Sequence, residues 1–231
     1  MAALEILYES GPCVVLNKPP GVLTQAPAGI DSLEVQLKAL LKDRDRKEGN
    51  IYLGVPHRLD RPVSGAIVFA RHSRAAKRIS KQFEARQIKK LYWAVVEGQL
   101  APREDTWRDF VRKIPDRPVA EIVPQDHLDA REAVLHYRVL ARLDGATLLE
   151  VSLETGRMHQ IRLQASVRGH PVLGDAMYGS SRSFGPQHED GRLRAIALHA
   201  RLLEFRHPMT RELASIVAPL PPAWRELPLD A

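Results

Sequence analysis

His57-Arg58-Leu59-Asp60-Arg61-Pro62-Val63-Ser64-Gly65-Ala66-Ile67-Val68-Phe69-Ala70 sets a charged, proline-bearing loop directly before an apolar strand, Gly65 to Ala70. Upstream, Leu4 to Leu16 reads as two short strands broken by Ser10-Gly11-Pro12. Lys18-Pro19-Pro20-Gly21 reads as a turn, because two prolines and a glycine fit neither a ladder nor a helix. Asp31-Ser32 caps a helix running to about Lys42, with Leu33, Leu37, Leu40 and Leu41 on one side. Asp43 to Asn50 is a polar connection. Downstream, Ser73 N-caps a helix to about Arg86. Its apolar positions Ala75, Ala76, Ile79 and Phe83 recur at helical spacing and leave Arg74, Lys77, Arg78 and Lys81 on the remaining surface.

Lys90 to Glu97 is a strand apolar on both faces, the pattern of a central position in a sheet. The middle, Ala101 to Asp129, is rich in Pro, Asp and Arg and resists assignment. Ala130 to Ala141 and Ala146 to Glu154 read as paired strands joined at Leu143-Asp144-Gly145, an Asp-Gly turn. A helix covers about Met158 to Arg168, with Gly169 at its C-terminus and Pro171 soon after. Ala195 to Phe205 and Glu212 to Val217 are further strands, and Pro219-Leu220-Pro221-Pro222 reads as a tail. Strands predominate, neighbours are hairpin-like and helices are few, which is an α+β pattern with a large mixed, mainly antiparallel sheet. No break in composition divides the chain, so the expectation is a single domain over residues 1–231.

Composition narrows the function classes. The chain has 231 residues, enough for one large buried core. Hydrophobic residues make up 44% and charged residues 27%, as in an ordinary globular protein. No apolar stretch reaches the length of a membrane span, and the N-terminus lacks the pattern of a secretory signal. Cys13 is the lone cysteine, which excludes an intrachain disulfide framework and a cysteine-based metal cluster and fits a reducing cytoplasm. The formal net charge of +6 favours a polyanionic partner, most simply nucleic acid.

Three segments hold the residue types of a reactive site. Asp60 lies between Arg58 and Arg61, two cations that favour an ionised carboxylate on a rigid loop, fit to act as nucleophile or general base. An Arg-Asp-Arg ion-pair loop at the surface would read the same way. Tyr92 lies within Lys90-Leu91-Tyr92-Trp93-Ala94-Val95-Val96-Glu97-Gly98 and offers a flat face and a hydroxyl, as a core tyrosine also would. Gly156-Arg157-Met158-His159-Gln160-Ile161-Arg162 crowds cations and amides at a helix start, where anions are attracted and where a hydrated helix end is the plainer reading. His159, His170 and His199 lack the tight spacing of metal ligands, so no metal is expected. Ser64 lacks the elbow motif of a hydrolase nucleophile.

Taken together, these segments resemble the RluA-type RNA pseudouridine synthases. His57 to Gly65 resembles that family's His-Arg-Leu-Asp-Arg-x-Thr-Ser-Gly signature, and Lys90 to Gly98 its Lys-x-Tyr-x-Ala-x-Val-x-Gly strand. Gly156 to Arg162, Gly169-His170-Pro171-Val172-Leu173-Gly174-Asp175 and Tyr178-Gly179 are similar to its later elements. So are Leu16 to Gly21, Leu198-His199-Ala200 and Phe205-Arg206-His207-Pro208. The similarity runs in the family's order from about Ile6 to Pro219. Val63 stands where threonine is usual and Gln164 where histidine is frequent. The chain resembles the short members that lack an S4-type RNA-binding domain.

The resemblance implies a pseudouridine synthase fold with a central active-site cleft, acting as an isomerase on a uridine of structured tRNA or ribosomal RNA. No cofactor and no metal are implied, the setting is the cytoplasm away from membranes, and the expected state is a monomer. Asp60 is the implied essential carboxylate, attacking the ribose C1′ or removing the 2′ proton. A base in folded RNA must be flipped out to be reached. Tyr92 would stack on it and serve proton transfer at C5. Arg162 would pair with Asp60, and Leu203 would wall the pocket. Arg58, Arg61, Arg157 and His159, with the helix cations Arg74, Lys77, Arg78 and Lys81, would hold RNA. Two other classes are open to the same residues: a non-catalytic RNA-binding or assembly protein that keeps the fold, and a metal-dependent nuclease.

Overall fold

A computed structural model describes residues 4–227. In chain order the strands are β1 (Glu5–Ser10), β2 (Cys13–Lys18), β3 (Ser64–Ala70), β4 (Lys89–Glu97), β5 (Glu104–Lys113), β6 (Ala120–Ile122), β7 (Arg131–Leu143), β8 (Ala146–Leu153), β9 (Leu198–Arg206) and β10 (Leu213–Val217). The α-helices are α1 (Leu33–Arg44), α2 (Ser73–Glu84) and α3 (Gln160–Ser166). This is the α+β architecture expected from the sequence. Two compact units share the chain. The first holds residues up to Lys90 together with Asp190–Leu193 and Ala200–Pro221, and the second Leu91–Glu189, Arg194–His199 and the segment from Pro222.

In the first unit the strand order is β1-β2-β3-β9, with β10 on β9. β2 runs antiparallel to β3 from Cys13↔Ala70 to Lys18↔Gly65, and every residue of β3 is buried. The core gathers Val15, Val68, Ile79, Leu203, Phe205 and Ile216. α1 starts where the sequence places it. The Ser32 hydroxyl accepts from the Val35 N–H at 3.3 Å, and Leu33, Leu37 and Leu41 are buried at helical spacing. α2 is capped one residue earlier than expected: the His72 ring, not Ser73, accepts from the Ala75 N–H at 3.1 Å. An imidazole nitrogen serves the orphan helix donor as a hydroxyl would.

In the second unit the order is β4-β8-β7-β5-β6, with antiparallel ladders throughout. β7 and β8 meet at Leu143↔Ala146 around Asp144-Gly145, and Gly145 takes a φ of +61° that this tight turn requires. The unassigned middle segment is β5 and β6. β5 pairs along eight residues with β7, and the face opposite buried Trp107 carries Glu104, Thr106 and Arg108. Charged residues ordinarily scarce in strands sit here on the solvated face, which hid the element from its composition. α3 is shorter than the Met158 to Arg168 expected, with Gly169 at φ +77° beyond it. The proline run is not a tail. Pro222–Glu226 forms a 3₁₀ helix that buries Trp224 against Phe184, ring centres 5.7 Å apart, and His199, 6.0 Å apart.

Candidate active site

Asp60 sits half-buried on the turn that leads into β3. Its carbonyl accepts from the Val63 N–H at 3.1 Å, closing that turn. Thr24 grips the preceding residue on both sides: Oγ1 donates to the Leu59 carbonyl at 2.9 Å and accepts from the Leu59 N–H at 3.1 Å. The following residue is gripped twice more. The Arg61 carbonyl accepts from the Gly21 N–H at 2.9 Å and from Lys18 Nζ at 3.0 Å. The turn at Lys18 to Gly21, together with Thr24, is thus a bracket around the Asp60 loop. Fixing the backbone on both sides of a carboxylate is how a fold aims it.

Lys18 itself is fully buried. Its ammonium also donates to the Pro19 carbonyl at 2.9 Å. Burial pulls its pKa down to about 7, the Asp60 charge works against that fall, and the Arg61 charge adds to it. Unfolded, the same amine keeps its proton to about pH 10.4. Between about pH 7 and pH 10 the unfolded chain therefore binds the extra proton, and the contribution of Lys18 to stability rises with pH. Lys18→Met is expected to remove that rise. Denaturant unfolding at several pH values in this window should give a wild-type slope steeper than the variant's by up to ~1.4 kcal/mol per pH unit. Parallel curves would contradict the assignment.

His57 also has a structural part that the sequence did not disclose. Its Nε2 accepts from the Val68 N–H at 3.0 Å and its ring stacks on Phe83, centres 4.5 Å apart. Burial, with the Lys90 charge nearby, pulls its pKa down to about 3, consistent with a neutral ring that accepts. Val63, in place of the usual threonine, is buried; a threonine hydroxyl does seat in this loop, but it is that of Thr24. Gly65 has φ +116°, and a Cβ there would lie 2.4 Å from the Ala200 carbonyl oxygen. Of the other residues picked out in this unit, Arg58 is exposed and Arg61 half-buried, while Leu203 lies in the core opposite Ile216. Arg74, Lys77 and Lys81 are exposed on α2, whereas Arg78 donates to the Pro208 carbonyl at 2.6 Å.

In the second unit Arg162 and Asp175 form a buried fork, Nε to Oδ2 at 2.5 Å and Nη2 to Oδ1 at 2.8 Å. The guanidinium also lies 5.0 Å from the centre of the Tyr178 ring. A buried guanidinium keeps its charge, so a bidentate carboxylate partner offsets the cost of its desolvation, and the fork fixes the direction of the head group. His159 caps α3 in the left-handed conformation, φ +53°, with Nδ1 3.0 Å from the Tyr178 hydroxyl. Gln160 Oε1 accepts from Thr155 Oγ1 at 2.8 Å and from the Arg157 N–H at 3.0 Å, so it ties the start of the helix to the end of β8. Gln164 Nε2 donates to Asp109 at 2.6 Å, a role open to an amide as to a histidine. Tyr92 is buried on β4 opposite Val151.

Asp175, Lys18 and Thr24 carry no local signal of the contacts they make here. Lys18 and Asp175 lie within quoted motifs, but what they hold is distant in sequence. Among the described residues, no three His, Cys, Asp or Glu side chains gather as a metal site requires. No described helix is long and apolar enough to cross a membrane.

A family profile described as RNA pseudouridylate synthase matches residues 12–166. The chain is 35% identical over 227 residues to an uncharacterized RNA pseudouridine synthase of Synechocystis sp., spanning 97% of this chain and 68% of that one. It is 36% identical over 225 residues to a ribosomal large subunit pseudouridine synthase D of Xylella fastidiosa, spanning 94% and 66%. To a tRNA pseudouridine synthase C of Haemophilus ducreyi it is 33% identical over 235 residues, spanning 97% and 94%. Among solved structures, human RNA pseudouridylate synthase domain containing 4 superposes with a TM-score of 0.78 at 24% identity, covering 96% of this chain and 93% of that one. Human RNA pseudouridylate synthase domain containing 1 gives 0.71 at 25% identity, covering 95% and 84%.

Proposed function

Because this chain belongs to the RNA pseudouridylate synthase family, we propose that it isomerises a uridine of structured tRNA or ribosomal RNA to pseudouridine, with Asp60 as its essential carboxylate. The observation that carries the assignment is the bracketed loop. Asp60 is gripped at the residues before and after it by Thr24, Gly21 and Lys18. A surface ion-pair loop has no need of such support.

The carboxylate attacks C1′ or removes the 2′ proton, and either route leaves the uracil free to turn before a carbon–carbon bond replaces the carbon–nitrogen bond. Extruding the base costs a few kcal/mol, and Tyr92 is assigned to stack on the flipped ring and to serve proton transfer at C5. Arg162, held by Asp175, is assigned to pair with the Asp60 carboxylate and orient it. Leu203 is assigned to the pocket wall, and Arg58, Arg61, Arg157 and His159 to the RNA, together with the cations of α2. No cofactor enters this scheme, and one copy of the chain in the cytoplasm suffices for it.

The test is direct. Purified chain is incubated with unmodified tRNA and ribosomal RNA transcripts in the presence of EDTA, and the RNA is digested and resolved by chromatography. Pseudouridine is expected to accumulate despite the chelator. Its absence from every transcript, or its loss on chelation, would overturn the proposal. Mapping pseudouridine in RNA from cells with and without the gene then identifies the position.

A further inference from the structure

The second unit carries a cleft of about 400 Å³ beside the β5–β6 hairpin, within the size range of small-ligand pockets. Its apolar lining comes from Val111, Ala120 and Met158. Its charged lining is Arg112, Lys113, Arg131 and Arg157, against the single carboxylate of Asp129. Arg112 is committed to Glu121, Nε to Oε1 at 2.7 Å. Lys113 and Arg131 are exposed and enter no ion pair among the described residues. Arg157 spends its Nε on the Glu132 carbonyl at 2.8 Å, which holds the guanidinium in place while its charge remains uncompensated by any carboxylate ion pair among the described residues.

Leu128, next in sequence to Asp129 at the cleft, is 97% exposed. A single exposed leucine is ordinary. What sets this one apart is the rigidity of its loop and its position. The His127 N–H donates to the Pro124 carbonyl at 3.1 Å, the Ala130 N–H to the His127 carbonyl at 2.9 Å and the Asp129 N–H to His127 Nδ1 at 3.0 Å. His127 Nε2 in turn lies 2.9 Å from Arg112 Nη1 at the cleft. A braced loop therefore presents a bare apolar side chain beside a basic cleft with an apolar floor.

We propose that this cleft seats a nucleotide of the substrate RNA other than the reacting uridine, its phosphate against Lys113, Arg131 and Arg157, with Leu128 wedged against an adjacent base. The inference rests on the reading of the chain as an enzyme acting on RNA. Cations alone would suit any polyanion. The apolar floor and the wedge match a base face next to a phosphate, and inserted apolar side chains are an established way of engaging stacked bases.

The probe is a pool of unmodified tRNA transcripts bound to the full chain over about 50 to 300 mM salt, the range in which phosphate contacts declare themselves. Lys113→Ala/Arg131→Ala is expected to make the slope of log affinity against log salt shallower by about 1.5, the equivalent of two lost phosphates. Leu128→Ser is expected to weaken binding about tenfold at every salt concentration and to leave the slope unchanged. Wild-type affinity and slope in both variants would overturn the inference, and so would displacement of the RNA by poly-glutamate of equal charge, which would point to an acidic peptide as occupant. The underlying reading is judged separately by the wild type. If wild-type chain forms pseudouridine while the variants bind like it, the cleft assignment alone falls. If wild-type chain neither binds the pool nor modifies it, both fall.

Discussion

Asp60→Asn is expected to lower pseudouridine formation by about four orders of magnitude or more, the scale seen when a residue that attacks or abstracts is removed. Asparagine keeps the shape of the side chain, so the grips of Thr24, Gly21 and Lys18 on the neighbouring residues remain. It loses the charge and the basic lone pairs, which both routes need. Asp60→Glu tests a different property: it keeps the charge but moves it along by one methylene, and a site held by a fixed backbone should tolerate that poorly. RNA affinity in Asp60→Asn is expected to stay within about threefold of wild type, since phosphate contacts, which a carboxylate does not make, supply most of it. Single-turnover assays with saturating enzyme separate the two effects. Activity above about one per cent in Asp60→Asn would remove it from the chemistry, against the 10²–10⁴-fold scale of even a general base.

Gly65→Ala should be the most damaging change outside the chemistry. At φ +116° a side chain is strained in any surroundings, and here the new Cβ would meet backbone: 2.4 Å from the Ala200 oxygen and 2.6 Å from its nitrogen. Backbone in the middle of a sheet cannot rotate aside, so the strands must separate. A cost above about 4 kcal/mol is expected, a large part of a typical domain's stability. Gly29 provides the contrast, with a positive φ of +84° but nothing within 4 Å of the point a Cβ would occupy. Gly29→Ala should cost only about 1–2 kcal/mol, the conformational share alone. Unfolding midpoints and soluble yields of the two variants check the comparison. Similar values for both would show that the approach of β3 to Ala200 does not limit stability.

Local signals made much of this protein legible. The leucines of α1 and its Ser32 cap, the Asp144-Gly145 hairpin and the apolar run of β3 each follow from their own residues, and the structure has them nearly at the expected bounds. β5 was hidden because its outer face is charged, and the Trp224 anchor because prolines precede it. The site divides in the same way. Asp60 stands out as a carboxylate among arginines, and Arg162 as a cation in a motif. What holds them does not stand out. Thr24 grips a residue 35 positions away and Lys18 one 43 positions away, contacts that no periodicity announces. Asp175 has the same obscurity, lying 13 residues beyond the arginine it fixes, across a loop.

The meeting of Gly65 with Ala200 also sets a timetable. The ribosome delivers roughly 5–20 residues per second, so the strand that closes over Gly65 emerges many seconds after Asp60 itself. β1, β2 and β3 can pair early, since all three lie before Arg71 and emerge together. β9 and β10 arrive near the end of synthesis and complete the sheet on which that loop depends. A nascent chain thus carries every residue of the Asp60 loop long before it can hold that loop in its final seat. The final seating of that loop is therefore expected only after β9 and β10 have emerged.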